Sequence, residues 1–297
     1  MPLGLWQMIK RTLEISHSSY LKSHQGQLVI EQDHQVVGQV AFEDLGVLIL
    51  AHPQITLTQA VLEACAQVNC AIIHCDHRHM PSSLTLPLAA HTLHSKIIQQ
   101  QIQITPVRRK QIWQQIVREK IVQQAQTLQN LNKDSQALTR MVSLVQSGDK
   151  NNLEAQAAQK YWPLLLGKDF RRDSEMEGIN SLLNYGYAVI RATVARALVG
   201  TGFHPAIGLN HSNQYNAYCL ADDVMEPFRP WIDQHVVGLE SDQINQQNKA
   251  ILLSQLNQTV VYQQKSQPFL VALSLFVAQL KSAYSDSEVV LTFPRRD

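Results

Sequence analysis

The sequence predicts an α+β protein in which a small β-rich N-terminal domain precedes a larger, all-α C-terminal domain. Short β-branched runs broken by glycine fill residues 1–76, as is typical of strands. From about residue 81 onward, apolar residues recur with the period of a helix. The chain of 297 residues is 45% apolar, which is enough to build a sizeable core. We place the β-rich domain at 1–80, a linker and connecting helix at 81–103, and the helical domain at 104–297.

Strands arranged around one helix are predicted for the N-terminal domain. The strand candidates are KRTLEIS, QLVIEQ, QVVGQVAF and GVLIL. The segment TLTQAVLEACAQ has the pattern of a helix capped by Thr56 or Thr58. A buried strand is expected over Ala71–Cys75. Because unpaired strand edges invite pairing, we expect this domain to dimerise.

Helix signals dominate the C-terminal domain. Thr105 followed by Pro106 is a cap with proline at the first helical position. The apolar residues of the helix that follows share one face: Ile112, Trp113, Ile116, Val117, Ile121, Val122, Ala125 and Leu128. Asn152 is expected to cap a second helix that runs through Tyr161.

Four further helices complete the predicted domain. One covers 174–199 and ends at the glycines of 200–202. Another begins near 212 and bends at Pro227, and two more fill 242–285.

Composition excludes several classes of protein. The 25 basic and 24 acidic side chains give a net charge of +1, so bulk charge does not point to nucleic acid. The longest apolar stretch, Pro268–Leu280, contains Ser274 and Gln279 and is too short to span a bilayer. The start of the chain lacks the features of a signal peptide. With four cysteines in addition, we expect free thiols and a cytoplasmic protein that does not contact membranes.

Familiar catalytic motifs are missing from the sequence. GxxxxGK[ST], GxGxxG, HExxH and GxSxG do not occur. Cysteine and histidine do cluster between Cys65 and His79, but without a CxxC pair at zinc-finger spacing. Because neighbouring side chains of a strand point to opposite faces, Ile73-His74-Cys75 favours buried thiols over a metal site.

Carboxylates and an imidazole form a stronger candidate in the helical domain. Glu154 lies in the first turn of its predicted helix, His211 lies at a loop–helix junction, and Asp222, Asp223 and Glu226 follow. Residues three apart share one face of a helix, as Asp223 and Glu226 do. Such a set from different helices can bind Mg²⁺ or Mn²⁺ with positions left for water and phosphate. Phosphodiester chemistry needs a cation of this kind.

Two interpretations of the acids stay open at this point. The acids lie among apolar residues, so at least one is expected inside the protein, where a carboxylate needs a partner. A bound cation is one solution. A structural ion pair with Arg229 or Arg196 is the other.

Basic residues with interleaved aromatic residues give candidates for DNA contacts, since cations neutralise phosphates and aromatic rings stack on unpaired bases. The candidates are Arg108, Arg109, Lys168, Arg171, Arg172, Tyr161 and Trp162. In the opposing interpretation Trp162 belongs to the core, and Arg171 and Arg172 only solubilise a loop.

Three blocks resemble one family. LEAQAAQKYW, INSLLNYGYAVIRATVARAL and GFHPAIGLNHSNQYNAYCLADDVMEPFRP are similar, in order and spacing, to the CRISPR-associated spacer-acquisition integrases, the universal endonucleases of CRISPR adaptation. The likeness covers most of the chain, is densest between Glu154 and Pro230, and is strongest to the type II branch. It implies a metal-dependent endonuclease and integrase.

The resemblance also assigns site residues. The metal-binding and catalytic residues of the family fall on Glu154, His211 and Glu226, with Asp223 as a supporting acid. The implied cofactor is Mg²⁺ or Mn²⁺. The metal site is therefore expected in the all-α domain.

Partners follow from the same resemblance. It implies a homodimer, two copies of which flank a dimer of a small second CRISPR-associated protein in a heterohexamer. The substrates would be double-stranded DNA, namely a prespacer and the CRISPR repeat array, joined by transesterification from free 3′-hydroxyls. Further type II adaptation proteins remain open as partners. The alternatives are a non-catalytic DNA-binding scaffold and a stand-alone metal-dependent nuclease for branched DNA.

Overall fold

Two four-stranded sheets and one helix form the N-terminal part of the computed structural model, which describes residues 10–88 and 90–296. The elements in chain order are β1 Arg11–Ile15, β2 Tyr20–His24, β3 Gln27–Gln32, β4 Gln35–Ala41, β5 Leu45–Leu50, β6 Thr56–Leu57, α1 Gln59–Gln67, β7 Ala71–Cys75 and β8 Pro81–Thr85.

The two sheets differ in pairing. The first has the order β1-β5-β7-β8, with β1, β5 and β7 parallel and β8 antiparallel to β7. The second has the order β4-β3-β2-β6 and contains the antiparallel meander β2-β3-β4. The predicted strands are all present within the described residues. The first sheet extends past residue 80, because β8 pairs with β7.

The rest of the chain is mostly helical. Its elements are α2 His94–Ile102, α3 Pro106–Asn130, α4 Gln136–Val142, α5 Leu153–Leu166, α6 Ile179–Thr201, α7 Cys219–Met225, α8 Arg229–Val236, α9 Gln246–Ser254, β9 Thr259–Tyr262, β10 Lys265–Pro268 and α10 Phe269–Ser285. A single turn of 3₁₀-helix over Glu226–Phe228 joins α7 to α8. The β-rich start and mostly helical remainder agree with the predicted fold class.

Local sequence signals place several helix ends correctly. The hydroxyl of Thr105 accepts a hydrogen bond from the backbone N–H of Arg108 at 3.2 Å, and Pro106 is the first residue of α3. The C-terminus of α6 is capped by Gly202 at a φ of 95°, a conformation that glycine adopts without steric cost.

Three expectations about the helical domain were wrong. The antiparallel hairpin β9–β10 interrupts it. α6 begins at Ile179 rather than 174, after Gly178 at a φ of 72°. α7 begins at Cys219 rather than near 212, because the side chains of Asn213 and Asn216 accept hydrogen bonds from the backbone two residues onward. Asparagine side chains of this kind compete with helix formation.

The core is shared between the two parts of the molecule. Val47, Ile49 and Ile73 of the first sheet belong to the same buried cluster as the apolar faces of α3, α6 and α10. A second, smaller cluster, including Leu28 and Val61, fills the space among α1 and the two sheets. The helices of the domain are therefore fixed against a sheet rather than only against one another. Within residues 10–88 and 90–296, every helix is too short or too polar to cross a bilayer.

Candidate metal centre

Two predicted ligands, Glu154 and Glu226, meet at one ammonium group. Nζ of Lys120, on α3, lies 2.6 Å from Oε1 of Glu154 and 2.5 Å from Oε2 of Glu226. Glu154 stands in the first turn of α5, and Glu226 opens the 3₁₀ turn between α7 and α8. Carboxylates from two separate helical regions therefore face each other across a single position that already holds a cation.

Asp149, and not the predicted Asn152, holds the start of α5. Its carboxylate accepts hydrogen bonds from the backbone N–H groups of Leu153 and Glu154, at 2.9 and 3.0 Å. Asn152 occupies the N-cap position in a left-handed conformation and makes no side-chain cap bond. The Asp149 carboxylate thus fixes the turn from which Glu154 projects.

Glu226 is a buried carboxylate balanced by two cations. Its side chain is 5% exposed, and Oε1 lies 3.0 Å from Nε of Arg229. Burial opposes ionisation of Glu226, but Arg229 and Lys120 outweigh it and hold its pKa below the ordinary value. Burial also opposes the charge on Lys120, whose pKa is nevertheless raised because Glu226 and Glu154 outweigh that cost. Glu226, Lys120 and Arg229 are therefore charged at neutral pH. The ion pair with Arg229, one of the two interpretations left open by the sequence, is present.

His211 is held by Asp223. Nδ1 of His211 lies 2.6 Å from Oδ1 of Asp223, and the Asp223 side chain is fully buried. The same carboxylate accepts the backbone N–H groups of Leu209, Asn210 and His211. The hydrogen bond that His211 donates to the Asp223 carboxylate is the main cause of a raised pKa for His211, and Glu226 contributes through its charge. The imidazole is therefore oriented through one nitrogen and lies within electrostatic reach of Glu226.

The donor set suits a hard divalent cation, although the described residues do not form a finished cage. Among them, no three His, Cys, Asp or Glu side chains converge closely enough to hold an ion. Oε2 of Glu226 is nevertheless buried, and the Lys120 ammonium lies 2.5 Å from it. Two carboxylates and an oriented imidazole are ligands that Mg²⁺ and Mn²⁺ accept. The chemical types of these side chains suit such a cation, and the position shared by Glu154 and Glu226 is occupied by the Lys120 ammonium.

Arg229 links Glu226 to a second buried acid. Its guanidinium lies over the ring of Tyr187, 4.7 Å from the centroid. The hydroxyls of Tyr187 and Tyr161 both donate to the carboxylate of Asp233. Burial raises the pKa of Asp233 to about 7, although the two tyrosines stabilise its charge. The network of Tyr187, Tyr161 and Asp233 therefore packs against Arg229, the partner of Glu226.

The predicted DNA-contact residues divide into two groups. Lys168 and Arg171 are exposed and line an open groove of about 610 Å³ with Trp162 and Arg172. Trp162 is half-buried against Phe170, with ring centroids 5.4 Å apart. Arg109 is exposed as well. These side chains remain accessible to a phosphate backbone.

Arg108 and Tyr161 have other tasks in the structure. The Arg108 guanidinium donates to the carbonyls of Ala283, Ser287, Asp286 and Val289 around the end of α10. Tyr161 is fully buried with its hydroxyl on Asp233. Their predicted role in DNA contact is corrected, because neither polar group faces solvent.

Sequence reasoning missed the roles of Lys120 and Arg191. Lys120 occupies the apolar face of α3, four residues after Ile116, and a charge on that face requires a partner. The position of Lys120 on the apolar face was therefore the sequence signal from which a buried acidic partner could have been predicted. Arg191 joins Arg172 and Arg229 in a groove of about 280 Å³ that also includes Asp222. This groove reaches Arg229, the partner of Glu226.

Comparison with known proteins identifies the family. The sequence model of the family described as CRISPR associated protein Cas1 matches residues 15–265. A CRISPR-associated endonuclease Cas1 from Neisseria meningitidis serogroup C is 38% identical over 234 residues, which are 78% of this chain and 76% of that protein.

Solved structures share the fold. A casposase bound to integration product superposes with a TM-score of 0.76 at 20% identity, covering 96% of this chain and 93% of its own. A Cas6-RT-Cas1–Cas2 complex gives a TM-score of 0.72 at 17% identity, covering 96% of this chain and 36% of that one. The family resemblance carried by the three sequence blocks is confirmed, and the chain belongs to the Cas1 family of CRISPR-associated endonucleases.

Proposed function

We propose that this Cas1 protein joins the 3′-hydroxyl ends of a prespacer duplex to a CRISPR repeat array by transesterification, with Mg²⁺ or Mn²⁺ held by Glu154, His211 and Glu226. One observation carries the proposal. Glu154 and Glu226 bring carboxylate oxygens to a single cation position, which the Lys120 ammonium fills in this structure. Two carboxylates facing each other in a partly buried space are costly unless a cation lies between them.

Each site residue has a distinct task in this mechanism. A divalent cation bound there would stabilise charge on the phosphate and on the attacking and leaving oxygens. Glu154 and Glu226 supply hard oxygen ligands. His211 would bind through Nε2, because Nδ1 is engaged by Asp223. A carboxylate behind a ligating histidine fixes its ring and strengthens it as a ligand.

The reaction needs no nucleotide energy source. The 3′-oxygen of the prespacer forms a new bond to phosphorus, and the bond from that phosphorus to the 3′-oxygen of the repeat strand breaks. The proton of the attacking hydroxyl is released to solvent, and the leaving oxygen takes one up. One phosphodiester replaces another, so the count of bonds is unchanged.

Accessible cations suggest where DNA lies. Lys168, Arg171 and Arg172 line one groove, and Arg191 extends the basic lining next to Arg229. Such side chains would position the phosphate backbone without reading its sequence. Arg109 is a further exposed cation for this purpose.

The partner expectations form part of the proposal. A solved neighbour is a Cas1–Cas2 assembly, which supports the small second protein as a partner. We propose a homodimer of this chain in a heterohexamer with that protein. The free edges of the N-terminal sheets are candidates for the dimer contact.

The test is a strand-transfer assay. Purified protein, with its small partner, is given a duplex with free 3′ ends and a supercoiled plasmid that carries a repeat. Covalent joining is scored with Mn²⁺, with Mg²⁺ and with EDTA. Glu154→Gln, His211→Ala and Glu226→Gln are compared with Glu63→Gln, which removes an exposed carboxylate on α1.

The outcomes separate the three hypotheses. Metal-dependent joining that the three site variants lose, while they still fold and bind DNA, supports the integrase and its site. Plasmid nicking that does not depend on a donor 3′-hydroxyl indicates a stand-alone nuclease. DNA binding unaffected by metal and by all three variants, with no joining, indicates a scaffold. Equal loss of joining in Glu63→Gln would remove the assignment to this site.

A further inference from the structure

Lys120 lies inside the proposed cation site rather than beside it. We infer, on the basis of the function proposed above, that its ammonium is a built-in placeholder: it occupies the cation position between Glu154 and Glu226 in the metal-free enzyme and leaves it when a divalent cation binds.

The distances imply that the ammonium and a divalent cation would compete for one position. Nζ of Lys120 lies within 2.6 Å of one oxygen from Glu154 and one from Glu226. Mg²⁺ binds carboxylate oxygens at roughly 2.0–2.1 Å. An ion that ligates the same two oxygens would take up the space of the ammonium nitrogen. Two positive groups cannot share it, so binding of one excludes the other.

The placeholder explains how two acids can face each other before metal arrives. The Glu226 side chain is 5% exposed and that of Glu154 is 22% exposed. Without a cation between them, the two negative charges would repel each other in a partly dehydrated space. Lys120 therefore also connects α3 to α5 and to the 3₁₀ turn, and it keeps the oxygen donors close to their working positions.

Lys120, and not Arg229, is the cation that can leave. Arg229 approaches the other oxygen of Glu226 and is held over the ring of Tyr187. Lys120 reaches its partners through one atom at the end of a flexible four-carbon chain. A change of the Lys120 rotamer would release both oxygens.

The test measures metal binding rather than activity. Lys120→Met is titrated with Mn²⁺ by calorimetry, and its melting temperature is measured with and without Mn²⁺. Without the competing ammonium, the Mn²⁺ dissociation constant should fall about tenfold. The metal-free variant should melt below wild type, and Mn²⁺ should raise its melting temperature by more than it raises that of wild type.

Lys133→Met is the matched control. Nζ of Lys133 donates to the carbonyls of Leu164 and Leu165 at the end of α5, and it pairs with no carboxylate of residues 10–88 and 90–296. The Lys133→Met variant lacks one partly buried lysine of the same region, and its Mn²⁺ affinity should equal that of wild type. Lys120→Gln replaces the methionine variant if the latter does not fold, since its neutral amide keeps polar contact with the acids.

Unchanged or weaker Mn²⁺ binding in a folded Lys120 variant would overturn the placeholder. Glu154→Gln and Glu226→Gln in the same titration test the metal site itself. If both keep wild-type Mn²⁺ affinity, the proposed site fails. If both lose it while the Lys120 variants bind like wild type, only the placeholder fails.

Discussion

The Asp223 carboxylate organises the loop that carries His211. One oxygen lies 2.6 Å from Nδ1 of His211 and accepts the backbone N–H of the same residue. The other accepts the N–H groups of Leu209 and Asn210. A single buried charge therefore fixes both the path of the backbone and the orientation of the ring.

Asp223→Asn should weaken metal binding without removing a ligand. The asparagine keeps the shape of the side chain but has one acceptor oxygen for the four donors, so the loop and the imidazole lose their fixed orientation. Loss of a group that orients a metal ligand weakens binding by about 10–100-fold. Calorimetric titration with Mn²⁺ would measure the effect. Asp222→Asn, on the same helix, should change the affinity by less than about threefold, because Asp222 accepts its hydrogen bond from Asn216. Equal affinities for wild type and Asp223→Asn would contradict the positioning role.

Asp149→Ala should destabilise the protein, because it removes the acceptor for the first N–H groups of α5. The loss expected for a helix cap is about 1–2 kcal/mol in the free energy of unfolding. Urea denaturation measures it. The comparison is Asn152→Gly, which relieves a φ of 51° and should leave stability within about 0.5 kcal/mol or raise it. A larger loss for Asn152→Gly than for Asp149→Ala would assign the cap to Asn152.

Arg108→Ala and Arg109→Ala should separate two neighbouring arginines by function. Arg108 donates to four carbonyls around the end of α10. Its removal leaves buried acceptors unpaired and should cost about 2–4 kcal/mol of stability. Arg109 is exposed, so its removal should change stability by less than about 0.5 kcal/mol. Thermal and urea unfolding of both variants decide the matter, and equal stabilities would refute the structural role of Arg108.

Features that depend on neighbouring residues could be predicted from the sequence, and features that depend on distant residues could not. The caps of α3 and α6 depend on neighbouring residues, and Thr105 and Gly202 were identified from the sequence alone. The hairpin β9–β10 was missed because each strand has only four residues, and β10, with the sequence KSQP, is polar. The true start of α7 was hidden by side-chain turns at Asn213 and Asn216.

The candidate site shows the same limit. Family resemblance supplied Glu154, His211 and Glu226, and the structure brings the two glutamates to one cation position. No local pattern shows that Lys120, 34 residues before Glu154, fills that position. Arg108 and Tyr161 were predicted to contact DNA because basic and aromatic residues occur together in the sequence. Whether such a side chain is buried depends on contacts with distant helices, which the sequence pattern does not show.

The stability of the protein should fall with rising pH in a way that Asp233→Asn removes. Burial raises the pKa of Asp233 to about 7, from an ordinary value of 3.8, against the opposing influence of its tyrosine and cationic neighbours. Between these values the folded protein keeps a proton that the unfolded chain has released. Stability linked to this group is therefore lost as pH rises from about 4 to about 7, by up to ~4 kcal/mol.

Urea unfolding from pH 4.5 to 8.5 checks this expectation. The amide introduced by Asp233→Asn does not titrate, so the free energy of unfolding of this variant, relative to wild type, should increase through the window and level off above it. The amide can still accept from one tyrosine hydroxyl and donate to the other, which preserves the contacts of Tyr161 and Tyr187. Asp169→Asn, at an exposed position, should differ from wild type by less than about 0.5 kcal/mol at every pH. Parallel curves for wild type and Asp233→Asn would mean that the buried carboxyl is already ionised at pH 4.5. Arg229 and the two tyrosines would then stabilise the negative charge of Asp233 throughout the pH range.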